Sequence, residues 1–105
     1  MSFEVEITRF ALNDLEEARD FYRQQGVELG DYFLDALLTD IESLALYGGI
    51  HPRVDRLYRL LSRRFPYGIY YRIVGKKVEV IAVLDLRRNP SENEKRLRGR
   101  GEAVQ

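Results

Sequence analysis

With 105 residues, 45% hydrophobic and 32% charged, the chain holds enough apolar material for one modest core and too little for two domains. The absence of cysteine excludes disulfides, thiolate metal sites and cysteine nucleophiles, and a single histidine, His51, excludes a multi-histidine metal cluster. The formal net charge of zero argues at first against a polyanionic partner, but residues 1–50 carry eleven acids and three bases whereas residues 51–105 carry six acids and fourteen bases, so the chain is acidic first and basic second.

The amino-terminal MSFEVEITRF has neither a basic flank nor a long apolar run, and no window approaches eighteen apolar residues, which predicts a soluble cytoplasmic protein without a membrane partner. Phe3, Val5 and Ile7 alternate with Glu4, Glu6 and Thr8, a period of two that predicts a half-buried strand to about Phe10. For the helix that follows, Asn13 with Glu16 offers a capping box, Leu15, Ala18, Phe21 and Tyr22 share one face, and Gly26 is the stop. A second helix, from about Leu29 to Leu46, places Phe33, Leu37, Ile41 and Leu44 at helical spacing, with Leu34, Leu38 and Ala45 widening the stripe. Its polar side holds Asp31, Asp35, Asp40 and Glu42, and Tyr47-Gly48-Gly49 ends it.

From Leu57 the pattern changes to strands: LYRLLSRR, GIYYRIV and VEVIAVLDL, separated by Phe65-Pro66-Tyr67 and by Gly75-Lys76-Lys77. Short turns between consecutive strands predict an antiparallel meander. The near-continuous apolar run Val78 to Leu84 predicts a central strand covered on both faces, with the first strand beside it. After Pro90, Ser91 and Glu94 form a capping box for a short helix, and the charged Gly99-Arg100-Gly101 end is expected to fray. The order β-α-α-β-β-β then describes an α+β domain, a helical hairpin packed on a small antiparallel sheet with a short carboxy-terminal helix or tail. One domain spans 1–105, its core at about 3–90. Two helices cannot cover both sheet faces, so part of one face should stay open, basic and aromatic.

Arg53, Arg56, Arg59, Arg63, Arg64, Arg72, Arg87 and Arg88 are interleaved with Tyr58, Tyr67, Tyr70 and Tyr71. Arginine binds carboxylate or phosphate bidentately and stacks on rings, so its dominance over lysine points to a recognition surface; a merely solvated face is the plainer alternative. Tyr70 and Tyr71 are neighbours on a strand and must face opposite sides. His51 offers an imidazole, but its place before Pro52 favours a turn residue over a general base. Asp85 beside Arg87 and Arg88 reads as an ion-pair partner. No phosphate-binding glycine loop, nucleophile triad or metal-ligand spacing occurs, and no cofactor is expected.

The block Arg63-Arg64-Phe65-Pro66-Tyr67-Gly68-Ile69-Tyr70-Tyr71-Arg72, followed by Val80 to Leu84 and Arg87-Arg88-Asn89-Pro90, with Asp14 to Ala18 and Phe21-Tyr22 upstream, resembles the RelE/ParE superfamily of type II toxin-antitoxin toxins, the plasmid-stabilisation proteins. The similarity runs over roughly residues 5–90. It implies a toxin wrapped and neutralised by a cognate antitoxin, as a homodimer or as a hetero-oligomer with it. RelE-like members cut messenger RNA on the ribosome, and ParE-like members poison DNA gyrase with no chemical step of their own. The positions that supply the nuclease's lysine, two arginines and tyrosine fall here on Leu61, Gly68, Arg88 and near Glu94, so that a nuclease would depend on Arg59, Arg63 and Arg88. The chain is therefore expected to be ParE-like and not an enzyme, with Arg59, Arg63, Arg64, Tyr67, Arg72, Arg87 and Arg88 contacting target or antitoxin. A RelE-like endonuclease acting on the ribosome with its messenger RNA, or a degenerate binding module of the same fold, are the alternatives.

Overall fold

The computed structural model describes residues 2–103. Its elements in chain order are β1 (Glu4–Ile7), α1 (Arg9–Arg23), α2 (Val27–Glu42), α3 (Leu44–Tyr47), β2 (Arg53–Val54), β3 (Leu57–Leu61), β4 (Tyr67–Val74), β5 (Lys77–Asp85) and α4 (Pro90–Ala103). The sheet order is β1-β5-β4-β3-β2, with β1 parallel to β5 and every other pair antiparallel. The expected α+β class, helical hairpin, meander and β1–β5 neighbourhood are all present.

Boundaries moved where one side chain could serve two elements. Thr8 ends β1 by donating its hydroxyl to the Val80 carbonyl at 2.7 Å, and the same oxygen accepts from the Ala11 amide at 3.3 Å as the cap of α1. The helix therefore starts at Arg9, and Asn13, expected as its cap, lies inside it. The expected single helix to Leu46 breaks at Ser43, whose hydroxyl donates to the Asp40 carbonyl at 2.5 Å; Leu44 still reaches the core from α3. At α4 the cap is Asn89, whose Oδ1 accepts from the Ser91 amide and hydroxyl, and Ser91 sits inside the first turn. The short strand β2 has no sequence signature, because Pro52 and the two-residue length leave no period to read. Gly75, at φ +61°, lets β4 turn tightly into β5.

The hairpin packs on one sheet face. Leu15, Tyr22, Phe33, Leu37, Ile41 and Leu44 meet Ile69, Tyr71, Val78, Val80 and Val83, all nearly inaccessible. Phe21, expected on the buried side of α1, stands 50% exposed. The helices come close at Gly30, where a Cβ would lie within 3.1 Å of the Arg19 carbonyl.

A bulge lets β5 serve two cores. Tyr71 pairs with Val80 and Tyr70 with Ala82, leaving Ile81 as an extra residue. The side-chain phase shifts there, so Val78, Val80 and Val83 face the hairpin while Ile81, Ala82 and Leu84 face the other side with Tyr70, Leu57 and Leu97 of α4. Both Tyr70 and Tyr71 are therefore buried, on opposite faces. This second core corrects the expectation of a frayed end: α4 runs through Gly99-Arg100-Gly101 to Ala103 and covers β5. The last two residues of the expected tail lie outside the described residues.

Candidate functional site

The seven residues expected to form one recognition surface divide among three places. The β3–β4 loop carries Arg63 and Arg64 to the side of α2. Asp40 of α2 holds this loop: its Oδ2 accepts from the Ser62 hydroxyl at 2.9 Å and from the Arg63 amide at 3.3 Å. Arg64 donates to the Tyr32 hydroxyl at 2.6 Å and lies 5.7 Å from that ring.

Under the loop is an aromatic cluster. Phe65 packs edge-on against Phe33 at 4.9 Å and Tyr22 at 5.1 Å, and Tyr67 meets Phe33 at 5.0 Å. Tyr22 and Phe33 stack at 4.9 Å across the hairpin. Phe65 and Tyr67 of the distinctive block thus anchor the loop to the hairpin. Tyr67 is 6% exposed, which corrects its assignment to an open surface: its ring is part of the core, and burial pushes its hydroxyl up to about 12. Phe21 and Tyr32, 50% and 44% exposed, cap the cluster on the outside. The adjacent pairs Phe21-Tyr22 and Tyr32-Phe33, either side of the turn at Gly26, were the signal for this cluster; each pair sends one ring in and one out.

Arg87 borders the same end. It is clamped by Asp85, with Nε and Nη2 each 3.0 Å from a carboxylate oxygen and its amide bonded to the first, and Nη2 also reaches the Tyr22 hydroxyl at 3.3 Å. Burial opposes ionisation of Asp85, yet the Arg87 hydrogen bonds win and hold its carboxyl below the ordinary value. The expected ion pair is thus made with Arg87. Arg88 instead lines a cleft of about 120 Å³ between α1 and α4, with Glu17, Phe21, Asn93 and Arg96.

Arg59 and Arg72 lie on the opposite face, beneath α4. Arg59 pairs with Tyr70 in register, and its Nε is buried without a hydrogen bond. Arg72 donates to Glu79 at 2.7 Å. A groove of about 750 Å³ runs here between α4 and the β2–β3 turn, with Leu57, Arg72, Ile81 and Leu97 among its walls. Leu61 and Gly68 are register partners on the same face. A Cβ on Gly68 would meet the Tyr70 ring at 3.1 Å and Leu86 Cδ2 at 3.2 Å, so hydrocarbon already fills the space a longer side chain would need. Glu94 is exposed and pairs with Arg98 at 3.5 Å. His51 is on the hairpin face, bonded to Tyr71.

The charge polarity of the sequence is in part satisfied internally. Glu6 meets Lys77 and Asp14 meets Arg100, Asp40 holds the loop of Arg63, and Tyr22 and Tyr32 receive Arg87 and Arg64. Near the aromatic cluster Arg63, Arg64, Arg87 and Arg88 are all exposed, Arg64 against the exposed ring of Tyr32 and Arg88 in the cleft that the exposed Phe21 also lines. Among the described residues no group of His, Cys, Asp and Glu could hold a metal ion, and no helix is long and apolar enough to cross a membrane.

Comparison with known proteins agrees with this fold. The family described as the ParE toxin of type II toxin-antitoxin system, parDE, matches residues 5–90. Among solved structures, a chain of the chromosomal ParDE system from P. aeruginosa has the same fold at a TM-score of 0.73 and 21% identity, covering 81% of this chain and 97% of that one. A chain of the RelBE2 toxin-antitoxin complex from Mycobacterium tuberculosis follows at 0.53 and 22%, covering 79% and 96%. No curated protein matches the sequence significantly.

Proposed function

The chain belongs to the ParE toxin family of type II toxin-antitoxin systems, and on that premise we propose that it is a non-nucleolytic toxin that binds and stops DNA gyrase and is neutralised by a cognate antitoxin. The observation that carries the reading is the face beneath α4. RNA cleavage by 2′-hydroxyl attack needs a group to take that proton, cations on the phosphate and a donor for the leaving oxygen. That face presents Leu61, a Gly68 whose side-chain space is filled by Tyr70 and Leu86, and a Glu94 engaged with Arg98. Arg59 keeps positive charge there, while Arg63 belongs to the β3–β4 loop held by Asp40 and Arg88 to the cleft between α1 and α4, so the three cations a nuclease would need are carried by different parts of the fold.

The aromatic end is the contact surface in this reading. Exposed Arg64 lies on Tyr32, Arg88 shares a cleft with Phe21, and Arg63 and Arg87 are exposed on the adjoining loop and strand end, a set suited to an acidic segment with apolar anchors. The solved relatives come from a ParDE system and a RelBE2 toxin-antitoxin complex, which supports an antitoxin partner.

Purified protein should inhibit supercoiling by gyrase, and induction should arrest growth with messenger RNA intact. No inhibition at micromolar protein sinks the gyrase reading, and new messenger ends mapped at ribosomal positions would install the endonuclease in its place.

A further inference from the structure

We propose that His51 and Tyr71 form a pH-sensitive latch, which holds residues 49–51 on the sheet while the imidazole is neutral and lets them go when it is protonated. Tyr71 is inaccessible in the middle of β4, but its hydroxyl reaches the chain that leaves the hairpin. The Gly49 amide donates to it at 2.9 Å, and His51 Nδ1 lies 2.5 Å away. A phenol has one hydrogen to give and two lone pairs to receive. With Gly49 donating to the oxygen, the hydroxyl hydrogen is free for Nδ1, and the latch is the tautomer in which Nδ1 accepts it and the imidazole carries its proton on Nε2.

A second proton on the imidazole would put a donor at Nδ1, facing the phenol. The hydroxyl then receives two donors, and its own hydrogen loses its acceptor in a packed site. The ring of Tyr58 stacks on Tyr71 at 5.2 Å, and the His51 ring stands edge-on at 5.6 Å. The ionisable ring stacked on the pair is Tyr58 of β3, and behind it Arg53 of β2 holds its guanidinium 4.4 Å from the Tyr58 ring. Neither offers negative charge to hold an added proton. Burial lowers the pKa of His51, in keeping with a neutral ring.

The segment has little else to hold it. Gly48 packs beside Phe3 and Val78, and the Pro52 carbonyl accepts from the Arg59 amide at 2.9 Å, so both ends are pinned. Between them Ile50 is 71% exposed and its amide bonds only locally, to Tyr47. Gly49 adopts φ +95°, a conformation that the Tyr71 hydrogen bond holds in place.

Because folding lowers the pKa of His51, the latch is whole above the unfolded value of about 6.5 and is lost as pH falls through it and below. Amide exchange at Gly49, corrected for intrinsic rate and referred to core amides of β5, tests this. Between about pH 7.5 and 5.5 the wild type should lose protection at Gly49 several-fold with β5 unchanged. His51→Gln, at a partly exposed loop position, should show no such pH dependence, and Tyr71→Phe should leave Gly49 weakly protected at both pH values. Equal protection of the wild type across that range, or an unchanged pH dependence in His51→Gln, overturns the latch.

Discussion

Asp14 of α1 and Arg100 of α4, 86 positions apart, meet in a two-pronged ion pair with Nη1 to Oδ2 at 2.5 Å and Nη2 to Oδ1 at 2.8 Å. They meet where β1 leaves β5. Past Val80 the edge of β5 has no neighbouring strand; the Val83 amide donates to Asp14 Oδ2 at 2.9 Å, and the Ile81 carbonyl accepts from Arg100 at 3.3 Å. The pair thus stands in for the missing strand, satisfying backbone groups that burial would otherwise leave unpaired.

Removing either partner leaves a charge in a site where the side chains are 6% and 14% exposed. Asp14→Ala and Arg100→Ala should each lower stability by about 3 kcal/mol in urea unfolding, with strong non-additivity in the double variant. Limited proteolysis should cut α4 first in both. Purely additive losses would show that the two side chains act separately.

Gly30→Ala tests the hairpin contact. The new methyl would lie 2.2 Å from Arg23 Cγ and 3.1 Å from the Arg19 carbonyl, and the carbonyl cannot rotate away. Helix propensity alone favours alanine by about 1 kcal/mol, yet overpacking should exceed it and leave a net loss of about 1 kcal/mol. A rise in Tm would show that the helices can move apart freely.

Phe65→Ala should cost about 3 kcal/mol, since it removes the ring that joins the β3–β4 loop to Tyr22 and Phe33. The same variant should weaken antitoxin binding through the displaced Arg63 and Arg64, whereas Arg64→Ala should weaken binding at nearly wild-type stability. Isothermal titration and thermal melting of the two variants separate these effects. Full antitoxin affinity in both would remove the aromatic end from the interface.

Two titrations follow from burial and charge. Tyr67 keeps its proton to about 12, whereas in the unfolded chain it ionises near about 10, so the folded state binds more protons between them. Stability should therefore fall as pH rises from about 10 to 12, and Tyr67→Phe should reduce that slope. At the acidic end, Asp85 is held below its ordinary value by Arg87, so its contribution is present above about pH 4 and is lost as pH falls. In Arg87→Leu burial acts with less opposition, and the Asp85 carboxyl carbon should titrate at higher pH by NMR. An unmoved titration would separate Asp85 from Arg87.

The sequence by itself determined the order of the main elements, the β3–β4–β5 meander and most of the core, because period-two and helical spacings report which side of each element meets apolar surroundings; α3 and β2 carried no such signal. Phe33, Leu37, Ile41 and Leu44 lie where their spacing put them, and Val78 to Leu84 is covered on both faces. Only the tertiary structure decided where the arginines go. Arg72, Arg64 and Arg87 sit in one basic stretch of chain, yet they end on Glu79, Tyr32 and Tyr22, partners brought from 7, 32 and 65 positions away. A long flexible side chain carries no period, and its direction depends on which acceptor the fold sets beside it. The same holds at Arg100, expected in a loose end and found closing the bare edge of β5, since an ion pair between the first helix and the last exists only once both have packed on the same strand.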